Sequence, residues 1–271
     1  MGKYNISRTS RTVNISNELL RHYERLGLIE PERGENGYRF FSFQDLDKLQ
    51  GIRRFRNMGF SLAEMETLMY TGDYAQVGDL YRKALYKARS EIVWQREIER
   101  ATEAILAEWD ALEENVGRIE WTDCPEILRV NIRHNEELGN AAGSEEVARW
   151  IERMPAVFIS PMFRREAVLG GEEDIWFGYG VPVDVFERLG MPHVPGETRI
   201  PSGPCVTTVI YSRASGHITC RMLAPLLGYC RANGLTVSGD GWGITLGNCD
   251  SEGETCRFHR VYLPVTPDEA Q

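Results

Sequence analysis

The stretch from Val77 to Gly117 constrains this chain more than any other. It contains no proline and one glycine, Gly78, before its end. Such a run predicts one continuous helix, which at 1.5 Å per residue reaches roughly 60 Å. Ile98, Ile105, Leu112 and Ile119 recur every seventh residue, and Thr102, Trp109 and Val116 fill the alternate seam positions. That spacing predicts a two-stranded coiled coil with a polar outer face. A long helix packed on its own chain is the alternative. The helix also divides the chain into residues 1–75, 76–119 and 120–271.

Charge divides along similar lines. The 271 residues carry a net charge of −9. Residues 1–60 hold eleven Lys/Arg against seven Asp/Glu, whereas the remainder holds 20 against 33. A basic head on an acidic body suits a polyanion that meets only the head, although chance gives such a split too. Apolar residues make up 42% of the chain, enough for packed cores rather than general disorder. No apolar run approaches the length of about 18 residues that a membrane span needs. The opening MGKYNISRTSR lacks the apolar core of a secretory signal, so a cytoplasmic protein with reduced thiols at its six cysteines is expected.

The head has a readable order. Ser7 suits the cap of a short helix over 7–12. Val13, Asn14 and Ile15 make a tight connection, and Ser16 suits the N-cap of a second helix from Asn17 to Leu26. Gly27 sits where a left-handed C-cap belongs. Two short helices joined by such a turn are a helix-turn-helix layout, although a generic helical hairpin looks similar. Gly34–Gly37 is turn chemistry, and Tyr38-Arg39-Phe40-Phe41 reads as the strand of a wing. Ser42 with Asp45, and Ser61 with Glu64, cap a third and a fourth helix. Arg53, Arg54 and Arg56 crowd the end of the third, as a solvated face or as a second wing that touches phosphate.

Residues 4–70 resemble the DNA-binding head of MerR-type transcription regulators. Three strings carry the resemblance: Leu20-Arg21-His22-Tyr23-Glu24-Arg25-Leu26-Gly27-Leu28-Ile29-Glu30-Pro31, then Gly37-Tyr38-Arg39-Phe40-Phe41, then Met58-Gly59-Phe60-Ser61-Leu62-Ala63-Glu64-Met65. His22 stands where an aromatic residue is usual, and Phe40 where tyrosine is. The resemblance implies that the helix bearing Arg21, His22 and Tyr23 enters the major groove of double-stranded promoter DNA. It implies that Tyr38 and Arg39 in the first wing, with Arg53 and Arg56 by the second, hold phosphates. It further implies a homodimer paired through antiparallel long helices, acting with RNA polymerase on a pseudo-palindromic promoter spacer.

After residue 120 the composition shifts to Gly, Pro, Val and aromatics. Strands are expected near 126–133, 156–166 and 175–183, with a helix over Ser144–Met154. The order recurs as a strand near 204–212, a helix near 217–232 that is kinked or starts late at Pro225, and strands near 235–245 and 256–265. The expected fold class is therefore mixed, α plus α/β in a multidomain chain: a winged helix-turn-helix, a coiled-coil helix and an α+β domain of two β-α-β-β repeats. This second half resembles GyrI-like effector-binding domains of the multidrug-sensing type, through Leu235-Thr236-Val237 and the ending Phe258-His259-Arg260-Val261-Tyr262-Leu263-Pro264-Val265. That resemblance implies an aromatic cleft for a small hydrophobic, often cationic, effector. Its candidate walls are Phe158, Phe163, Trp176, Tyr179, Tyr211, Tyr229, Trp242 and Tyr262. Aromatic faces suit flat or cationic ligands, and ordinary core packing also accounts for any one of them. Where multidrug-sensing members carry a glutamate, this chain has Gly243, which opens the cleft to neutral effectors.

Other chemistries have less support. Cys249-x6-Cys256 with His259 is the closest approach to a metal-ligand spacing, and it lies far from the end of the long helix. No cofactor is implied. The chain lacks a G-x-S-x-G elbow, a P-loop and an H-E-x-x-H motif. A ligand-responsive regulator, of the activating kind by resemblance, is the expected function. A GyrI-like small-molecule hydrolase fused to a DNA-binding head is the runner-up, and a metal sensor the third reading.

Overall fold

A computed structural model describes residues 3–135, 137–139, 143–213, 218–251 and 254–268. The chain forms two compact units, residues 1–92 and 93–271.

The first unit begins with β1 (Tyr4–Asn5), α1 (Ile6–Val13) and α2 (Asn17–Arg25), followed by β2 (Glu32–Arg33) and β3 (Arg39–Phe41). Then come α3 (Phe43–Asn57), α4 (Leu62–Tyr70) and the start of α5 (Tyr74–Asp110). The caps follow local chemistry. Ser16 Oγ accepts from the Leu19 amide at 3.1 Å, and both expected capping boxes form, Ser42 with Asp45 and Ser61 with Glu64. Gly27 takes φ 71° and closes α2 as a left-handed cap. One cap differs from expectation: Asn5, not Ser7, starts α1, because its side chain accepts from the Arg8 amide at 2.9 Å. The N-terminal residues add β1 to the wing, giving the order β1-β3-β2. Leu20, Tyr23, Ile29, Phe41, Leu49, Ile52 and Met65 form the buried core of this unit.

In the second unit α5 ends at Asp110, and one further turn, α6 (Leu112–Asn115), follows the break at Ala111. Next come β4 (Glu120–Cys124), β5 (Ile127–His134), β6 (Glu137–Leu138), α7 (Glu145–Ile151), β7 (Phe158–Phe163) and α8 (Arg165–Gly170). After them come β8 (Ile175–Pro182), α9 (Val183–Leu189), β9 (Thr198–Ile200) and β10 (Gly203–Arg213). A 3-10 turn over Cys220–Leu223 leads into α10 (Ala224–Ala232), then β11 (Leu235–Val237), β12 (Gly241–Ser251) and β13 (Glu254–Pro267). Pro225 sits in the first turn of α10, where its missing N–H costs nothing, so the late start is the one realised. The helix expected from residue 217 begins outside the described residues at that position.

The strands form a sheet in the order β4-β10-β13-β12-β7-β8-β5-β6, with β11 on β13 and β9 on β5. One face is covered by helices in two clusters. Trp150, Val181 and Phe186 lie in one, and Phe163, Leu226, Val261 and Leu263 in the other. The expected seam of the long helix is revised at its end. Ile119 and Val116 fall outside the helix, and Val116 instead bridges to Val209. Trp109 packs edge-on against Phe258 at 5.7 Å, and its Nε1 donates to the Leu246 carbonyl at 3.4 Å. Gly247 takes φ 144°, and a Cβ there would lie 3.0 Å from the Trp109 ring. The second half of α5 therefore packs on its own sheet, the alternative that heptad spacing left open.

Candidate functional site

Charge in the first unit gathers around α2. Arg21 and Arg25 are exposed, and His22 Nδ1 lies 3.5 Å from Arg25 Nη2. Tyr23 is buried in the core, and its hydroxyl accepts from Arg56 Nη1 at 3.0 Å. That bond raises the Arg56 pKa. Arg53 Nη1 donates to the carbonyls of Val13 and Asn14, each at 2.6 Å, at the point where Asn14 adopts a left-handed conformation. Arg39 is paired with Glu24 at 2.5 Å, and Glu24 also takes Arg33 at 3.0 Å. Tyr38 is 67% exposed beside the wing. Of the seven residues named from sequence, Arg21, His22 and Tyr38 therefore point outward, and Arg39 is held by a carboxylate. Tyr23 and Arg53 are tied into the fold, and Arg56 is exposed, anchored by its one bond to Tyr23.

The second unit contains a cleft. Strands β7 and β12 pair only at Phe163 with Gly241 and at Met162 with Trp242. Beyond those pairs the strands part, and a cleft of about 510 Å³ opens beneath α5. Ala101, Ala104 and Ile105 of α5 face Phe158, Val185 and Ile244 across it. Strand alternation puts Phe158, Ser160 and Met162 on one face of β7, and register aligns Trp242 and Tyr262 with them. Phe158 and Trp242 stack at 6.4 Å and 21°, and Trp242 and Tyr262 at 4.5 Å and 23°. The Phe158 ring occupies the space of an absent side chain at Gly180, where a Cβ would come within 2.5 Å. Trp242 is fully buried, and its Nε1 has no hydrogen-bond partner among the described residues. Burial pushes the Tyr262 hydroxyl up to about 12.

Glu97, Arg100, Asp184 and Arg188 line this cleft, whereas Arg260 and Arg129 lie elsewhere on the sheet and do not. Glu97 is only 3% exposed, and its Oε1 accepts from Arg188 Nε and Arg100 Nη1, both at 2.7 Å. Arg188 also reaches Asp184 at 2.9 Å, and these two carboxylates raise its pKa. Arg260 is bonded to Glu108 of α5 at 2.9 Å. Arg129 on β5 is 2% exposed and donates to Ser160 Oγ, the Ser160 carbonyl, the Trp176 carbonyl and Asn131 Oδ1.

The family model described as MerR HTH family regulatory protein matches residues 4–71. The mercuric resistance operon regulatory protein of Bacillus cereus is 40% identical over 88 residues, which are 31% of this chain and 67% of that protein. The transcriptional regulator CueR of Vibrio cholerae is 34% identical over 128 residues, 45% of this chain and 88% of that protein.

This chain belongs to the MerR family.

The MerR-family chain spans about half the length of several other curated relatives that it matches. A solved EcmrR–DNA complex covers 97% of it at 14% identity, with a TM-score of 0.35, too slight a likeness to carry an argument. The MerR-type head makes the chain a DNA-binding transcription regulator. No helix among the described residues is long and apolar enough to cross a membrane.

Of the eight aromatics named from sequence in this MerR-family chain, Phe158, Trp242 and Tyr262 come together in one stack. Trp176 shares their face, in register with Met162, and stacks on His134 at 4.3 Å. Phe163 and Tyr229 lie in the helix-covered core, as does Tyr179 in its own cluster. Tyr211 is exposed and packs on Phe258 at 5.8 Å. Gly243 faces away from the cleft: a Cβ there would meet the Arg260 carbonyl at 2.8 Å and Val261 at 3.3 Å. Trp242 and Ile244 flank it and face inward, so the acidic position is absent on that face for a second reason. Asp240 accepts from Arg164 Nη1 at 3.0 Å and from the Arg165 amide at 2.8 Å. Sequence reasoning missed Arg129 and Glu97. A charged residue between Leu128 and Val130 in an apolar strand is the signal that points to the first. Glu97 lies in a helix rich in charge, where nothing in its spacing singles it out.

Proposed function

We propose that this MerR-family regulator is a homodimer that responds to a small aromatic effector bound in the cleft beneath α5. One observation carries the reading. A single helix supplies Leu80 and Ala84 to the core of the DNA-binding head and Ala101, Ala104 and Ile105 to the cleft wall. A ligand that prefers one placement of that helix biases the head by its differential affinity for the two states. The α2 helix enters the major groove with Arg21 and His22, and Tyr38, Arg39 and Arg56 hold backbone phosphates. Effector binding then deforms a promoter spacer so that RNA polymerase can engage both promoter halves, which makes the chain an activator. Duplication of a β-α-β-β unit accounts for a strand order that mirrors itself about the β7–β12 contact.

The dimer draws support from Leu85, Ile92 and Leu106, which lie exposed at multiples of seven residues along α5. Selection of binding sites by the full-length chain from a random double-stranded DNA library tests the head. A recovered pseudo-palindrome supports the reading, and recovery of unrelated sequences sinks it. A metal-sensing reading draws on one observation. The thiols of Cys124 and Cys205 interact, which lowers the pKa of Cys124 and raises that of Cys205. By contrast, Cys256 and His259 alternate to opposite faces of β13 and do not converge. Equilibrium dialysis of the reduced protein against zinc and copper(I) separates the two readings.

A further inference from the structure

Packing accounts for four of the six cysteines. Cys220 and Cys230 lie in the helix-covered core, and Cys124 and Cys205 lie in a cluster with Ile127 and Trp242. A buried free cysteine behaves in such places as a small apolar side chain. Cys249 and Cys256 belong to none of the buried clusters among the described residues. Their chain neighbours are polar: Asn248 and Asp250 beside the first, Thr255 and Arg257 beside the second. Cys249 is partly exposed, whereas the other five cysteines are buried.

Sheet register brings these two together. Cys249 on β12 stands directly opposite Cys256 on β13. Directly opposed residues of an antiparallel pair have Cα atoms about 4.5–5.5 Å apart, inside the range of about 4.4–6.8 Å that a disulfide spans. Side-chain bonds on both sides hold that register. Arg257 Nε donates to Asn248 Oδ1 at 3.1 Å, and Thr255 Oγ1 donates to Asp250 Oδ1 at 2.6 Å. Those are the paired positions immediately before and after the cysteines. By contrast, Cys124 stands opposite Gly203 and Cys205 opposite Thr122, so that pair is only diagonal. Two residues along β13 from Cys256 is Phe258, on which Trp109 packs, so a bond here would close beside the seat of the long helix.

We propose that Cys249 and Cys256 are an oxidisable thiol pair, which a hydroperoxide converts into an intramolecular disulfide across the β12–β13 hairpin. Exposure sets the order of events. The Cys249 sulfur, as thiolate, attacks a peroxide oxygen, and the O–O bond breaks to give a sulfenic acid and an alcohol, or water from hydrogen peroxide. The Cys256 sulfur then attacks the sulfenic sulfur. An S–S bond forms, the S–O bond breaks, and the hydroxyl leaves as water with the Cys256 proton. The two thiols together give up two electrons and two protons, and one hydroperoxide is reduced. A dithiol reductant reverses the step by thiol–disulfide exchange.

The test treats the reduced full-length protein with a small excess of hydrogen peroxide at neutral pH. Free thiols are then blocked with N-ethylmaleimide in denaturant, and tryptic peptides are weighed. Residues 232–257 form one such peptide, which holds Cys249 and Cys256 and no other cysteine. It is expected to appear two hydrogens lighter and without maleimide, and dithiothreitol before blocking should restore two maleimide groups. Cys124, Cys205, Cys220 and Cys230 should keep their maleimide. In Cys256→Ser, dimedone should trap a sulfenic acid at Cys249, and in Cys249→Ser the buried Cys256 should stay reduced. Two maleimide groups on the parent peptide after peroxide overturn the proposal. So does Cys249 carried to a sulfinic acid, or linked to another cysteine or to a second copy. Peroxide in urea is the control for the fold: mixed pairings are expected there, and equally ready closure of the same peptide would credit the short spacing instead of the sheet register and overturn the inference.

Discussion

His259 is held neutral inside the sheet. Its Nδ1 lies 3.1 Å from Thr245 Oγ1, its Nε2 has no partner among the described residues, and burial lowers its pKa from 6.5 to about 4. The unfolded chain takes up this proton near 6.5, whereas the folded site resists it down to about 4. Stability therefore falls as pH drops through that window, by up to about 3 kcal/mol, and does not change through this group above it. Denaturant titrations of His259→Gln at several pH values should show that slope flattened. The arginines of the head divide in the same residue-level way. Arg39→Ala should weaken binding to all DNA sequences and lower the salt dependence by about one ion, as loss of a phosphate contact does. Arg53→Ala instead removes the donor to two carbonyls at the end of α1, and should cost about 1–3 kcal/mol of folding stability by urea titration. Equal loss of DNA affinity and stability in both variants would erase the distinction. Sequence alone placed both arginines on DNA, because a guanidinium bonded to backbone oxygens and one bonded to phosphate have the same local sequence.

Elements were legible to the extent that their signals were local. The capping boxes at Ser42 and Ser61, the left-handed Gly27 and the alternation of β5, β7, β8 and β10 all depend on residues a few positions apart. The short α8 and α9 and the strands β4 and β9 were missed, since three to seven residues hold too little periodicity to stand out. The long helix was legible in its existence and not in its partner. Trp109 fits a heptad seam equally well whether it meets another helix or Phe258. The exposed Leu85, Ile92 and Leu106 are the residues left for a second copy. Ile92→Glu is therefore expected to shift sedimentation toward monomer and to reduce DNA affinity without lowering the helix content seen by circular dichroism. An unchanged dimer would put its contact elsewhere.

At the scale of the whole molecule, the family was readable from three strings in the head, whereas the cleft needed the sheet register. No spacing in the sequence reveals that Phe158, Trp242 and Tyr262 stack or that Gly243 points away. They come together through the pairings β12–β13 and β7–β12, and the partners in the second, Met162 and Trp242, are about eighty residues apart. Ile244→Trp is expected to leave DNA affinity near that of the parent and to abolish the change in DNA binding caused by the effector, as read by fluorescence anisotropy. A retained response would place the effector outside the cleft.

The β7–β12 contact has one more consequence. Two residue pairs are a narrow joint between strands that pair with their other neighbours over six or more residues. Mechanically, the sheet is two stiff plates meeting at a crease. Backbone amides along the crease, near Met162 and Trp242, should exchange with deuterium sooner than those in the middle of either plate, and a molecule lodged in the opening should slow them.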